Sequence, residues 1–373
     1  MKAFQLIPSI AEYADFGTLA KALKFGPADL ILTNEYIYTP TIASLKLGCH
    51  ACFQEKYGAG EPTDVMVDAI LNDLRDKDYD RIVAVGGGTV IDIAKVLAVA
   101  QPSDKVDDLY DRMASLEKEH PLIIVPTTCG TGSEVTNISI INRTTKGIKV
   151  GLVSPAMFAD EAALVPAMLD SLPYPVFATS SIDAMVHAVE SYLSPNACAL
   201  SEMFSEKALQ LILRGWKDAV ASGSKDGWKQ HAPEFLRASN FAGIAFGHAG
   251  CAAVHAMAYP LGGVHHIPHG QANQLMFADV MRKYQEKKPI GKINRLEELL
   301  AKELDVEPVF ALEQLYALMD AVLEKGPLHA HGVTAEELPD FAHSVMQTQQ
   351  RLLGNNYTAL TEEDLLAIYR AAY

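Results

Sequence analysis

Two stretches of the chain carry side chains suited to one divalent metal. They are Ser-Ile-Asp183-Ala-Met-Val-His187 and the run from His255 to Gly270, which contains His265, His266 and His269. Asp183 and His187 are four apart, so on a helix they share one face, one turn apart. His255 and His269 must come in from elsewhere, the second on a Pro-His-Gly turn. Three imidazoles and a carboxylate suit iron, zinc or manganese, and suit magnesium or calcium poorly. With one position left open, a metal held this way is a Lewis acid. A single histidine is ordinarily a core or turn residue. Here five of the 12 histidines fall between His248 and His269, and the Asp-x-x-x-His lies in a mostly apolar helical stretch. That concentration favours a metal site.

A second group of residues points to a nucleotide. Gly86-Gly87-Gly88-Thr89 follows a strand-like run and opens a helical one. Glycine lets the backbone approach a pyrophosphate, and a helix N-terminus offers unpaired N–H donors to it. The alternative is a tight strand-to-helix turn, because the Gly-x-Gly-x-x-Gly fingerprint is absent. Pro126-Thr127-Thr128-Cys129-Gly130-Thr131-Gly132-Ser133 also follows a strand-like run and gathers hydroxyls and glycines. Alone it reads equally as a hydroxyl-rich turn with a helix N-cap. Both segments sit where ligands bind in open α/β sheets, beyond the C-terminal ends of strands. Asn34-Glu35 ends another strand, a weak pointer to the ribose of NAD. Cys49-His50-Ala51-Cys52 is a lone C-x-x-C with no second pair, and it reads as structural.

The elements that must position these groups change character along the chain. Leu30–Thr33, Ile82–Val85 and Leu122–Val125 are short apolar runs that stop at turn signals, as buried parallel strands do. Helical spacing separates them, as from Asp64 to Lys77, which implies an α/β layer. Residues 138–142 and 148–153 flank a Gly-containing turn and read as a β-hairpin. Pro155, Pro166, Pro173 and Pro175 then exclude a long helix. Beyond them the spacing predicts helices only: 177–193, 199–221, 234–247, 249–259, 292–303, 308–324, 335–352 and 362–372. The predicted domains are 1–176, α/β, and 177–373, helical.

A length of 373 residues fits two domains, and the net charge of −15 argues against nucleic acid or an anionic membrane as partner. Five scattered cysteines do not resemble a disulfide framework and fit a reducing cytoplasm. The N-terminus lacks a signal-peptide pattern, and charges interrupt every apolar stretch long enough to span a bilayer.

The chain resembles the iron-containing, group III alcohol dehydrogenases. Gly-Gly-Gly-Thr-Val-Ile-Asp (86–92), Pro-Thr-Thr-Cys-Gly-Thr-Gly-Ser-Glu-Val-Thr (126–136), Asp183-x-x-x-His187 and the His255–His269 block occur in that family's order. A narrower resemblance, to its 4-hydroxybutyrate dehydrogenases, is carried by residues 32–35, 53–62, 241–247 and 349–357 and covers essentially the whole chain. The resemblance implies a Rossmann-like α/β N-terminal domain with a parallel sheet and an all-α C-terminal domain, the architecture shared with dehydroquinate synthases. It implies NAD and a divalent metal, iron first, with Asp183, His187, His255 and His269 as ligands. Gly86, Gly87, Gly88, Thr89, Asp92, Thr127, Thr128 and Thr131 would face the cofactor, with Asn34 where relatives often hold an Asp for the adenosine ribose. Tyr259 stands where many members have a histidine, so a proton relay through that position does not transfer. Tyr259, His265, His266 and Lys149 are the candidates for proton transfer or for binding a substrate carboxylate. The implied reaction is reversible hydride transfer between 4-hydroxybutyrate and succinate semialdehyde. A broader alcohol specificity, or a glycerol dehydrogenase- or dehydroquinate synthase-like reaction, are the alternatives. The implied partners are a small hydroxy acid or aldehyde and further copies of the chain.

Overall fold

A computed structural model describes residues 4–373. Residues 1–3, where the segment read for a signal peptide begins, lie outside the described residues. The chain forms two compact units: one from Leu6 to Leu172, and one from Pro173 to Tyr373 joined by Phe4 and Gln5.

The first unit is built on eight strands: β1 (Ser9–Glu12), β2 (Asp29–Thr33), β3 (His50–Phe53), β4 (Arg81–Gly86), β5 (Leu122–Pro126), β6 (Ile138–Arg143), β7 (Ile148–Val153) and β8 (Glu161–Leu164). Six make one parallel sheet in the order β1-β8-β5-β4-β2-β3. β6 and β7 form the expected antiparallel hairpin. The strands β2, β4 and β5 are buried on both faces, which explains their unbroken apolar runs. Alternate residues divide between two cores: Leu30, Leu32, Ile82, Ala84, Leu122 and Ile124 line one face, and Ile31, Val83, Val85, Ile123 and Val125 the other. Cys49 and Cys52 follow the same rule. Three positions apart, they point to opposite faces of the sheet and cannot share a ligand.

The strand order reverses beside β2, since β3 pairs on one side of it and β4 on the other. Such a switch point is where open α/β sheets bind ligands. Asn34, Gly86 and Thr127 all follow C-terminal strand ends here, on β2, β4 and β5.

β1 and β8 went unread in the sequence because they are four residues long and largely alanine or polar. The hairpin is tied down by Asp64. Its buried carboxylate accepts hydrogen bonds from the backbone N–H and the hydroxyl of both Thr144 and Thr145. Burial alone would raise its pKa, but those bonds outweigh it and hold the carboxyl well below the usual range.

The second unit is helical among its described residues. The helix Tyr174–Leu193 starts just after Pro173, and Pro175 sits in its first turn, where a missing N–H costs nothing. Three departures from the expected helices bear on the site. The segment 249–259 is instead helix Ala253–His265, because Ala252 and Val254 donate their N–H groups to a side chain from another helix. Pro268-His269-Gly270 is not an isolated turn. Pro268 precedes the 19-residue helix His269–Lys287, whose buried Asn273, Gln274 and Asp279 interrupt the apolar pattern a helix would show. The predicted helix 335–352 breaks at Gln349 into Leu338–Thr348 and the single turn Gln350–Leu353. No single helix among the described residues is long and apolar enough to cross a membrane.

Replacing Asp64 by Asn is expected to lower stability by about 1–3 kcal/mol, the weight of charge-assisted bonds to a buried carboxylate. Because the folded pKa is depressed, this contribution is present above the unfolded value near pH 4 and is lost as pH falls below it. Denaturant melts of wild type and D64N should therefore differ at pH 7 and converge in acid. A gap that stays constant down to pH 2.5 would contradict the assignment.

Candidate metal and nucleotide sites

The helical unit brings Asp183, His187, His255 and His269 together. Asp183 Oδ1 lies 3.8 Å from His187 Nε2, 3.4 Å from His255 Nε2 and 3.6 Å from His269 Nε2. A tetrahedral centre with bonds of about 2.0–2.2 Å has ligand-to-ligand edges of roughly 3.3–3.6 Å. The observed spacings fall close to that range. Asp183, His187 and His255 are buried and His269 is half-buried.

Three helices set this geometry. Asp183 and His187 lie one turn apart on Tyr174–Leu193, His255 lies in the first turn of Ala253–His265, and His269 starts His269–Lys287. The last helix reaches the first because of Gly270: a Cβ there would sit 1.9 Å from the Thr179 carbonyl oxygen. The imidazole of His187 stacks on Phe246 at 4.2 Å and on His255 at 4.5 Å between ring centroids.

Two residues missed in the sequence complete the cluster. Glu190, buried, continues the Asp183–His187 stripe at i+7. It accepts from Ala252 N–H (2.9 Å) and Val254 N–H (2.6 Å), so it caps the His255 helix. It also meets His255 Nδ1 at 2.6 Å. With Nδ1 engaged there, Nε2 is the His255 atom that faces Asp183 and the one open to a metal. The spacing Asp-x-x-x-His-x-x-Glu was the available signal. Asn273, one turn after His269 and fully buried, donates from Nδ2 to Asp183 Oδ1 at 2.8 Å and lies 3.3–3.4 Å from the Nε2 atoms of His255 and His269.

The donor set fits a divalent cation. Asp183 Oδ1 and two imidazole Nε2 atoms converge on one amide, whose two hydrogens cannot serve all three once the imidazoles are neutral, the state in which they ligate a metal. Burial would raise the Asp183 pKa, but His187, His269 and His255 outweigh it and hold the carboxyl well below its usual range. Burial would lower the His255 pKa, yet Asp183 and Glu190 push it up to about 9. Both shifts mark a site that attracts positive charge.

Cys251 offers a competing donor, because its Sγ lies within 4.8 Å of ligand atoms of His187 and His255. Burial, then the Glu190 and Asp183 carboxylates, push its thiol well above the ordinary value.

Of the four candidates for substrate contact, Tyr259 lies beside this cluster. It is one turn beyond His255, with its ring 6.2 Å from that of His269. His265 is instead engaged by Glu337 at 3.0 Å and packs edge-on against Phe341. His266 is an exposed, left-handed residue that ends its helix. Lys149 belongs to the other unit, on β7, and is held by both oxygens of Glu61 at 2.7 Å.

In the α/β unit, Gly87 precedes the helix Gly88–Leu97, whose N-terminus has no side-chain cap, so its first N–H groups remain available to an anion. Gly87 and Gly88 pack directly on the methyls of Thr128 and Thr131, where a Cβ would lie 3.2 and 3.1 Å away. Thr127 N–H donates to Gly86 O at 3.0 Å, which joins the two loops. Thr89 is turned to Gly60 O at 3.0 Å. Asp92 spends both carboxylate oxygens internally, on the Ser133 hydroxyl (2.9 Å) and the Ile140 N–H (2.8 Å). One turn on, the fully buried Lys95 donates to Ser133 Oγ, Thr136 Oγ1 and Ile138 O, fastening the threonine loop to the glycine helix. Asn34 is buried, and its amide donates to Gln54 Oε1 (3.1 Å) and Glu55 Oε2 (3.0 Å). Glu55, just past β3, thus brings a second carboxylate to the end of β2 beside Glu35, whose N–H it also accepts (2.5 Å).

Two family models match this chain: iron-containing alcohol dehydrogenase over residues 12–166, and the C-terminal part of the Fe-containing alcohol dehydrogenase family over 177–373. The chain belongs to the iron-containing alcohol dehydrogenase family. Among curated members it is 46% identical to a 4-hydroxybutyrate dehydrogenase of Clostridium kluyveri, over 100% of both chains. The fold of the family recurs in solved structures. A 1,3-propanediol oxidoreductase aligns with TM-score 0.85 and 25% identity over 100% of both chains. A sulfoacetaldehyde reductase from Bifidobacterium kashiwanohense, solved in complex with NAD+, aligns with TM-score 0.86 and 22% identity over 100% of this chain and 98% of the other.

Glu190→Gln replaces an acceptor of three hydrogen bonds by a group that must present N–H to at least one of the same donors. Metal affinity, measured by chelator competition, is expected to fall roughly 10- to 100-fold while the far-UV circular dichroism spectrum stays native. Unchanged affinity would show that Glu190 does not orient His255.

Proposed function

We propose that the protein is an NAD-dependent dehydrogenase that interconverts 4-hydroxybutyrate and succinate semialdehyde, with iron held by Asp183, His187, His255 and His269. One observation carries the chemistry: a buried carboxylate and three imidazoles converge in a chain that is 46% identical, over its full length, to a 4-hydroxybutyrate dehydrogenase. A divalent metal supplies Lewis acidity toward an alcohol or aldehyde oxygen, and a nicotinamide supplies the hydride acceptor or donor. In the oxidative direction the alcohol loses a hydride to NAD+ and a proton to solvent, leaving the aldehyde.

The chain's own residues prepare these events. Glu190 fixes the His255 tautomer, and Asn273 steadies Asp183 through its amide. Tyr259, its ring 6.2 Å from that of His269, is the residue we assign to hydrogen-bond the substrate oxygen, at the position where many family members carry a histidine. The uncapped start of helix Gly88–Leu97 holds the cofactor pyrophosphate, and Thr127, Thr128 and Thr131 line the same loop pair. Glu55 supports NAD over NADP, because a carboxylate at the end of β2 accepts from ribose hydroxyls and repels a 2′-phosphate.

Two measurements test this reading. His269→Ala is expected to lose both bound iron after anaerobic reconstitution and NADH-linked turnover of succinate semialdehyde. Retention of both would refute the ligand set. Glu55→Gln is expected to narrow the preference for NADH over NADPH by roughly tenfold, about 1.4 kcal/mol of lost repulsion. An unaltered ratio would place cofactor selection elsewhere.

A further inference from the structure

The helix Ala253–His265 carries His255, then Tyr259 one turn later, and it has Pro260 in its interior. Proline has no N–H. The carbonyl of Ala256, four residues back, therefore loses its helical donor, and the proline ring crowds that same carbonyl. Helices bend or loosen at such points. Tyr259 immediately precedes the proline, so helical hydrogen bonds alone do not fix its direction. Contacts from other elements must hold this turn.

Two holds are visible, one on each side of His255. Glu190 fixes the start of the helix, through the N–H groups of Ala252 and Val254 and through His255 Nδ1. The second comes from the C-terminal helix Glu362–Ala372. There Tyr369 donates its hydroxyl to the Met257 carbonyl at 2.7 Å, and both residues are fully buried. Met257 lies between His255 and Tyr259, and its carbonyl is the next one after the carbonyl that the proline disables. A buried tyrosine hydroxyl needs an acceptor, and this one takes the backbone at the weakened turn. Phe341, on Leu338–Thr348, steadies the arrangement: its ring lies 5.9 Å from that of Tyr369 and packs edge-on against His265 at 6.0 Å. A phenylalanine at 369 would keep that ring packing and lose only the directed bond.

We propose that Tyr369 is a positioning residue for Tyr259: its bond to the Met257 carbonyl replaces the stiffness lost at Pro260 and aims the Tyr259 hydroxyl. This rests on the reading that Tyr259 hydrogen-bonds the substrate oxygen. The two anchors of the helix then divide the work. Glu190 serves the metal through His255, and Tyr369 serves the substrate through Tyr259.

The test uses the iron-loaded enzyme with NADH and succinate semialdehyde, in wild type, Y259F, Y369F and the double variant. It reads the single-turnover rate of NADH oxidation, and metal affinity by chelator competition. Y259F should slow turnover roughly 10- to 100-fold, as loss of a group that hydrogen-bonds the reacting oxygen. Y369F should slow it roughly tenfold, the order of a misplaced group. In the Y259F background, Y369F should cost no more than about twofold, because the hydroxyl it aims is already gone. Metal affinity of Y369F should stay within about threefold of wild type, since the Glu190 hold on His255 is untouched. If Y369F leaves the wild-type rate unchanged, or slows turnover equally with and without the Tyr259 hydroxyl, the Tyr369 assignment is overturned and the Tyr259 reading stands. A larger loss of metal affinity also overturns it, by placing the action of Tyr369 at His255. If Y259F turns over like wild type, the Tyr259 reading fails and the Tyr369 assignment falls with it.

Discussion

The helical unit is organised around a buried carboxylate and three imidazoles whose lone pairs, with the rings neutral, outnumber the protein hydrogens that reach them. Asp183 and three imidazoles meet within 3.4–3.8 Å, largely out of water, with the Asn273 amide as the resident donor. Burying such acceptors together is costly unless positive charge is supplied. On the proposed ligand set a divalent cation would supply that charge and link metal binding to folding. The surrounding features lower the cost of keeping the ligands in place beforehand. Phe246 and His255 clamp the His187 ring, Gly270 admits a close helix crossing, and Glu190 both caps the His255 helix and sets the His255 tautomer. One carboxylate thus couples backbone architecture to ligand orientation.

The α/β unit solves a different problem with similar means. A pyrophosphate needs exposed N–H groups on a rigid frame, and glycine supplies the exposure at the expense of rigidity. Asp92 and the buried Lys95 restore rigidity through shared partners. Asp92 holds Ser133 and Ile140, while Lys95 holds Ser133, Thr136 and Ile138, so the threonine loop cannot drift from the glycine helix. Asp92 is therefore a framework residue of the nucleotide loops whose charge faces inward.

Much of this was legible in the sequence wherever a single element carried the signal. The strands β2, β4 and β5 were visible as uninterrupted apolar runs, and the 138–153 hairpin as two β-prone runs about a glycine. Asp183 and His187 were visible because helical periodicity puts them on one face. Contacts between elements were not legible. Glu190 and Asn273 matter through partners 60 to 90 positions away, and Glu55 reaches the end of β2 only because β3 pairs beside it. The helix His269–Lys287 was missed because its buried polar residues serve the site, which spoils the apolar pattern. The turn Gln350–Leu353 was hidden inside a predicted continuous helix, which in the structure breaks at Gln349.

The central claim is the donor set, and X-ray absorption at the iron edge of the reconstituted, substrate-free protein reads it directly. The account predicts one iron per chain with a shell of nitrogen and oxygen scatterers at about 2.0–2.2 Å and no sulfur. A sulfur scatterer near about 2.3 Å would contradict it, because it would put Cys251 with His187 and His255 at the metal in place of the set built on Asp183.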